Sequence, residues 1–188
     1  MTASLPEAAG ATRRGPASGA GRVARLGVLA ACAVAVYVFE ALLPRPVPWA
    51  RVGLSNVVIL VCLFAFGFES ALIVNLVRIV AGNVLLGLVA SPAFLFSAAG
   101  STAALLAMGA VRWKLVPPLS VVGTSVIGAV VNNAVQVWII SSMFSASAAG
   151  AGLIGVFVLL GLGVGCVTGV LAARVIDKVG LARHGGVG

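Results

Sequence analysis

The sequence predicts an all-α polytopic membrane protein with six transmembrane helices, and three observations predict it. First, 61% of the 188 residues are hydrophobic and only 9% are charged, against roughly 25% charged in an ordinary soluble domain. Second, six runs approach or exceed the roughly 17–25 apolar residues that cross a bilayer. They cover 24–43, 52–69, 71–90, 93–111, 115–142 and 151–175. Third, the charges between the runs alternate. With both ends of the chain on one side, that side holds Arg13, Arg14, Arg22, Arg25, Arg112, Lys114, Arg174, Lys178 and Arg183. The other side holds Arg45 and Arg51, and Arg78 falls within the membrane. Positive charge concentrates in cytoplasmic loops, so the expectation is a cytoplasmic (inner) membrane protein with both termini cytoplasmic.

Taken in order, residues 1–22 are rich in Ala, Gly, Ser, Pro and Arg without apolar periodicity, and read as a disordered cytoplasmic tail. Arg13-Arg14 lacks the apolar segment that should follow a twin-arginine signal. Leu29-Ala30-Ala31-Cys32 matches a lipoprotein cleavage box, but only Leu26, Gly27 and Val28 separate it from Arg25. A signal peptide needs an apolar core of about 7–15 residues there, so the first run is read as a retained helix. It carries an AxxxA step, Ala31 and Ala35. The second run is interrupted by Asn56 and ended by Glu69, the third encloses Arg78, and the fifth starts at Pro117-Pro118, which suits a helix start. Gly161, Gly165 and Gly169 give the sixth two overlapping GxxxG steps. Such steps permit close helix packing, either within the bundle or against another subunit. The expected organisation is a tail over 1–22, a six-helix domain over 23–178 and a short cytoplasmic tail over 179–188.

Arg78 carries the functional argument. A charge at membrane depth costs at least ~2.5 kcal/mol unless it faces a protein interior or wet cavity. At 100° per residue, Asn75, Arg78 and Gly82 share one face of their helix, and Asn132, Asn133 and Gln136 share a sector of the fifth. Glu40, Asn56, Asn83, Ser97 and Gly100 lie in the outer halves of their runs. These groups either line a pocket open to the outside or tie the helices together as interhelical amides. The loop Pro44-Arg45-Pro46-Val47-Pro48-Trp49-Ala50-Arg51 is stiffened by alternating prolines and puts Arg51 at the mouth. Arg51 and Arg78 suit an anionic or carboxylate-bearing ligand; alternatively Glu40 pairs with one of them structurally. The candidate substrate-binding set is Glu40, Arg51, Asn56, Arg78, Asn132, Asn133 and Gln136.

Other chemistry is poorly supplied. Cys32, Cys62 and Cys166 sit in separate apolar runs with no CxxC or Cys/His cluster, so no metal site or disulfide framework is expected. The one histidine, His184, lies in a Gly-rich tail, and the one aspartate, Asp177, near the end of the last run. No nucleophile–base pair and no phosphate-binding loop is visible, so no catalytic residue and no cofactor is expected. The net charge of +8 flanks the apolar runs rather than forming one face, which favours membrane orientation over nucleic acid.

The segment Glu40-x3-Pro44-x-Pro46-x-Pro48-x2-Arg51-x-Gly53-Leu54-x-Asn56 resembles the opening signature of the Gx transporter family, also labelled heptaprenyl diphosphate synthase component I. Arg78, Ser97-x2-Gly100 and Gly128-x3-Asn132-Asn133-x2-Gln136 continue the likeness over roughly 25–178. The family usually carries histidine where this chain has Asn132, so an imidazole-dependent role does not carry over. The family is similar in architecture to the substrate-binding S components of energy-coupling factor transporters. That resemblance implies a six-helix subunit that captures a small solute from outside, partnered by a transmembrane T component and ATPase subunits. It also implies that Ala31 and Ala35 dock the T component and that the first loop covers the site. The enzymatic label implies magnesium-held diphosphates, and hard cations need several oxygen ligands. One aspartate cannot supply them, which leaves a non-catalytic accessory role as the alternative, with a ligand-free scaffold as a third.

Overall fold

The computed structural model describes residues 17–43, 53–114, 119–144 and 149–179, and these fold as helices joined by short connections. The six are α1 (Ala17–Leu42), α2 (Ser55–Phe66), α3 (Phe68–Leu85), α4 (Pro92–Lys114), α5 (Val121–Phe144) and α6 (Ala149–Val179). Five of them are long and apolar enough to cross a membrane. Their outer faces carry large exposed apolar side chains, among them Phe39, Ile73, Val80, Leu159 and Val167. A bundle so apolar on its outside needs lipid around it, and the protein is a multi-pass membrane protein.

The second run forms the shortest of the six expected helices. At 1.5 Å per residue the 12 residues of α2 reach only about 18 Å, against a hydrocarbon core of ~30 Å. Gly67 is the physical reason: its φ of 86° leaves the helical region, so the run breaks there and α3 starts one residue later. What α2 lacks in length it makes up in position. Ile59, Leu60, Val61, Cys62 and Leu63 are all buried, and α2 contacts every other helix. A helix apolar on all sides belongs in an interior. Around it α1, α3, α4, α5 and α6 follow one another in an arc.

Helix ends follow local chemistry. Ser120 precedes α5 and its hydroxyl accepts the Gly123 N–H at 3.1 Å, an N-terminal cap. The described helix therefore starts at Val121; residues 115–118, with the expected start at Pro117-Pro118, lie outside the described residues. Pro92 opens α4, where its missing N–H is not needed. Helix α1 begins at Ala17, within the stretch read as tail, while residues 1–16 and 180–188 lie outside the described residues.

The glycine steps of α6 are internal packing. A Cβ on Gly165 would stand 2.6 Å from Val126 Cα, and one on Gly169 would stand 2.7 Å from Val122 Cα. Backbone therefore rests on backbone between α5 and α6, and Ser125 and Thr168 hydroxyls bond across the seam at 2.9 Å.

Cross-helix bonds fix the relative directions. Arg22, early in α1, donates to Ser70 Oγ at the start of α3 (3.4 Å), and Arg112, late in α4, stacks on Phe64, late in α2. Ser125, early in α5, meets Thr168, late in α6. The start of α1 and the end of α6 thus share one end of the bundle, the terminal end.

Candidate functional site

The polar residues gather toward the opposite end. Arg78 projects from the middle of α3 and is 2% exposed. Its Nη1 donates to Ser55 Oγ (2.8 Å) and Asn56 Oδ1 (2.9 Å), and its Nη2 to Asn75 Oδ1 (2.7 Å). The fork therefore ties the first turn of α2 to α3, using the planar donor geometry peculiar to guanidinium. Asn75 lies one turn before Arg78, as helical phase requires, and is 1% exposed. Its Nδ2 has no acceptor among the described residues.

Glu40 enters from α1. Its Oε1 accepts the Gly53 N–H, and its Oε2 accepts the Ser55 N–H (3.4 Å) and the Ser55 hydroxyl (3.3 Å). A carboxylate at a helix N-terminus meets unpaired N–H groups and the positive end of the dipole. Gly53, at φ 74°, turns its backbone toward that carboxylate. Ser55 thus joins Glu40 and Arg78 through one hydroxyl.

Tyr37, one turn before Glu40, forms the third arm. Its hydroxyl donates to Asn83 Oδ1 (3.2 Å) and lies 2.9 Å from Ser97 Oγ on α4. Its ring centroid lies 5.8 Å from the Arg78 guanidinium carbon, within the range of a cation–π contact. The ring fits because residue 82 is glycine: a Cβ there would be 2.4 Å from the ring. Gly100 does the same for Asn132, whose Oδ1 would be 2.5 Å from a Cβ at that position.

A small cavity is lined by Tyr37, Glu40, Gly53, Ser55, Asn56, Arg78, Ser97, Ser101, Asn132 and Gln136. Its volume is about 30 Å³, room for water-sized contents.

Of the expected site residues, Glu40, Asn56, Arg78, Asn132 and Gln136 come together. Asn133 does not. It turns toward α6, donating to the Phe157 carbonyl at 2.9 Å beside Gly161, because neighbouring residues on a helix point about 100° apart. Arg51 lies outside the described residues. Ala31 and Ala35 are exposed on a separate apolar groove of about 870 Å³ between α1 and α3. Sequence reasoning missed Tyr37, Ser55 and Ser101. Tyr37 carries a readable signal, being the chain's single tyrosine and three residues before Glu40; Ser55 precedes Asn56 at a helix start, where its hydroxyl had reason to matter.

Fold and cluster together define a class: a multi-pass helical membrane protein with a charged polar network buried away from its terminal end. Residues 29–175, reaching from within α1 to within α6, match the family described as heptaprenyl diphosphate synthase component I. The chain belongs to that family. No curated protein and no solved structure matches it.

Proposed function

We propose that the chain is a solute-binding membrane subunit, which takes a small anionic or carboxylate-bearing molecule at the Arg78 cavity from the side opposite its termini. The observation that carries this reading is the buried guanidinium ringed by amides and hydroxyls from α1 to α5. A desolvated arginine is a strong, directional anion partner, and an intramembrane charge is a functional site by default. Asn75 Nδ2 adds a buried donor in need of an acceptor. Because the cavity has a volume of only about 30 Å³, admitting a solute requires it to widen, as by parting of the end of α1 and the start of α2. The Glu40 bonds to Gly53 and Ser55 are the latch that would release.

In this reading the protein is not an enzyme. A transmembrane T component would meet α1 at Ala31 and Ala35, with ATPase subunits driving transport in the manner of energy-coupling factor systems. The concentration of Arg and Lys at the terminal end supports a cytoplasmic membrane location with both termini inside. The tail, six-helix and tail division at 22 and 178 goes with it.

The family's description favours a second reading, a non-catalytic membrane component beside a separate prenyl diphosphate synthase. The four acidic residues of the whole chain leave it without the carboxylate cluster that a magnesium diphosphate site needs. Mass spectrometry of small molecules retained by the purified protein separates the readings. A retained anion that disappears in R78A but persists in E69A supports solute binding. No retained molecule, with co-purification of an aspartate-rich synthase, supports the accessory reading.

A further inference from the structure

A second site lies at the terminal end. Leu63, Phe68, Gly109, Arg112 and Trp113 line a groove of about 400 Å³ between the α2–α3 junction and the end of α4. Arg112 is set rather than loose: its guanidinium carbon lies 4.5 Å from the Phe64 ring centroid. A cation over an aromatic face is held there by the ring's quadrupole, and its N–H donors remain available to an anion. Among the described residues Arg112 makes no hydrogen bond and no ion pair. Its neighbour at this end is different, because Arg22 has Glu69 at 3.9 Å and Ser70 Oγ at 3.4 Å.

Trp113 stands beside it, 90% exposed. An indole so placed at the end of a spanning helix belongs at the headgroup level of a bilayer. The groove below is apolar, and Phe68 forms its wall by lying against Gly109, where a Cβ would come within 2.6 Å of the ring. The site therefore offers a cation beside an exposed indole and, next to them, an apolar groove walled by Leu63 and Phe68.

We infer that this groove binds one phospholipid with an anionic headgroup, the phosphate on Arg112 and part of an acyl chain against Leu63 and Phe68. Charge complementarity selects the occupant. A zwitterionic lipid brings a compensating ammonium to the same place, whereas an anionic one does not. The site is separate from the Arg78 cavity and stands whether or not that cavity takes a solute.

Trp113 reports on it directly. The protein carries tryptophan at 49, 113 and 138, so two single-tryptophan versions, W49F/W138F and W49F/W113F, place the probe at the groove or on the exposed face of α5. Each is reconstituted in vesicles of phosphatidylcholine with brominated-chain phosphatidylglycerol or brominated-chain phosphatidylcholine at equal mole fraction. The expected result is a preference for phosphatidylglycerol at Trp113 of about fivefold, the effect of one cation beside an anionic surface, and no such preference at Trp138. R112Q abolishes the preference and R25Q, exposed at the same end, leaves it. Equal quenching by the two lipids at Trp113, an equal preference at Trp138, or a preference that survives R112Q overturns the inference. Should R112Q fail to fold, F68A, which removes the groove's wall and leaves every cation in place, decides: a lost preference supports the inference and an unchanged one overturns it.

Discussion

Replacing Arg78 with methionine keeps an unbranched chain of similar reach and removes the guanidinium. At least three hydrogen bonds go with it, to Ser55, Asn56 and Asn75. Polar contacts in membrane bundles contribute on average ~0.6 and at most ~1.7 kcal/mol each, so three sum to roughly 2–5 kcal/mol. Removal of the charge also saves its desolvation, and a buried ion network replaced wholly by apolar groups is often neutral. Here the replacement is partial: Glu40 stays buried at 3% exposure without the cation that shares its serine. The loss should therefore win, and R78M should unfold well below the native protein in detergent. Thermal unfolding followed by tryptophan fluorescence measures this. E69A is the control, since Glu69 is 88% exposed and only 3.9 Å from Arg22, a surface pair contributing about 0–1 kcal/mol. An R78M midpoint equal to that of the native protein or of E69A would refute the claim that the guanidinium organises the cluster.

Three further outcomes are expected. Y37F keeps the ring in its Gly82 notch and removes the bonds to Asn83 and Ser97; a loss of roughly 1–3 kcal/mol is expected from the same unfolding assay. G165A puts a methyl 2.6 Å from the backbone of Val126, and should lower stability by about 1–3 kcal/mol through forced separation of α5 and α6; an unchanged midpoint would mean the two helices are not in close contact. Finally, N132A should reduce retention of the bound solute while N133A leaves retention intact and lowers stability alone, because Asn133 bonds the Phe157 carbonyl and not the cavity. Equal loss of solute in both variants would place Asn133 back in the site.

Much of this molecule is legible without coordinates because lipid imposes simple demands. A spanning backbone must satisfy its own hydrogen bonds, so long apolar runs read as helices. A lone arginine in such a run must face inward, and phase alone put Asn75 and Gly82 on the same side. The same logic could not tell how short and how central the second helix is. The sequence of α2 is apolar on every face, and both lipid and a protein core accept that; Gly67 ends the helix by leaving the helical region, and the neighbouring helices bury it.

Sequence by itself determined the helical membrane class, the inward placement of Arg78 and the families of residues able to share a helix face. Only tertiary structure decided which faces meet. It turned Asn132 and Gln136 toward the cavity and Asn133 toward α6, brought Tyr37 into contact with Asn83 and Ser97, and hung Glu40 and Arg78 on one serine. The reason is geometric: helical periodicity sets the angle between side chains on one helix, while their partners are set by the rotation and depth of the neighbouring helices, which depend on close contacts such as Gly82 with Tyr37 and Gly100 with Asn132.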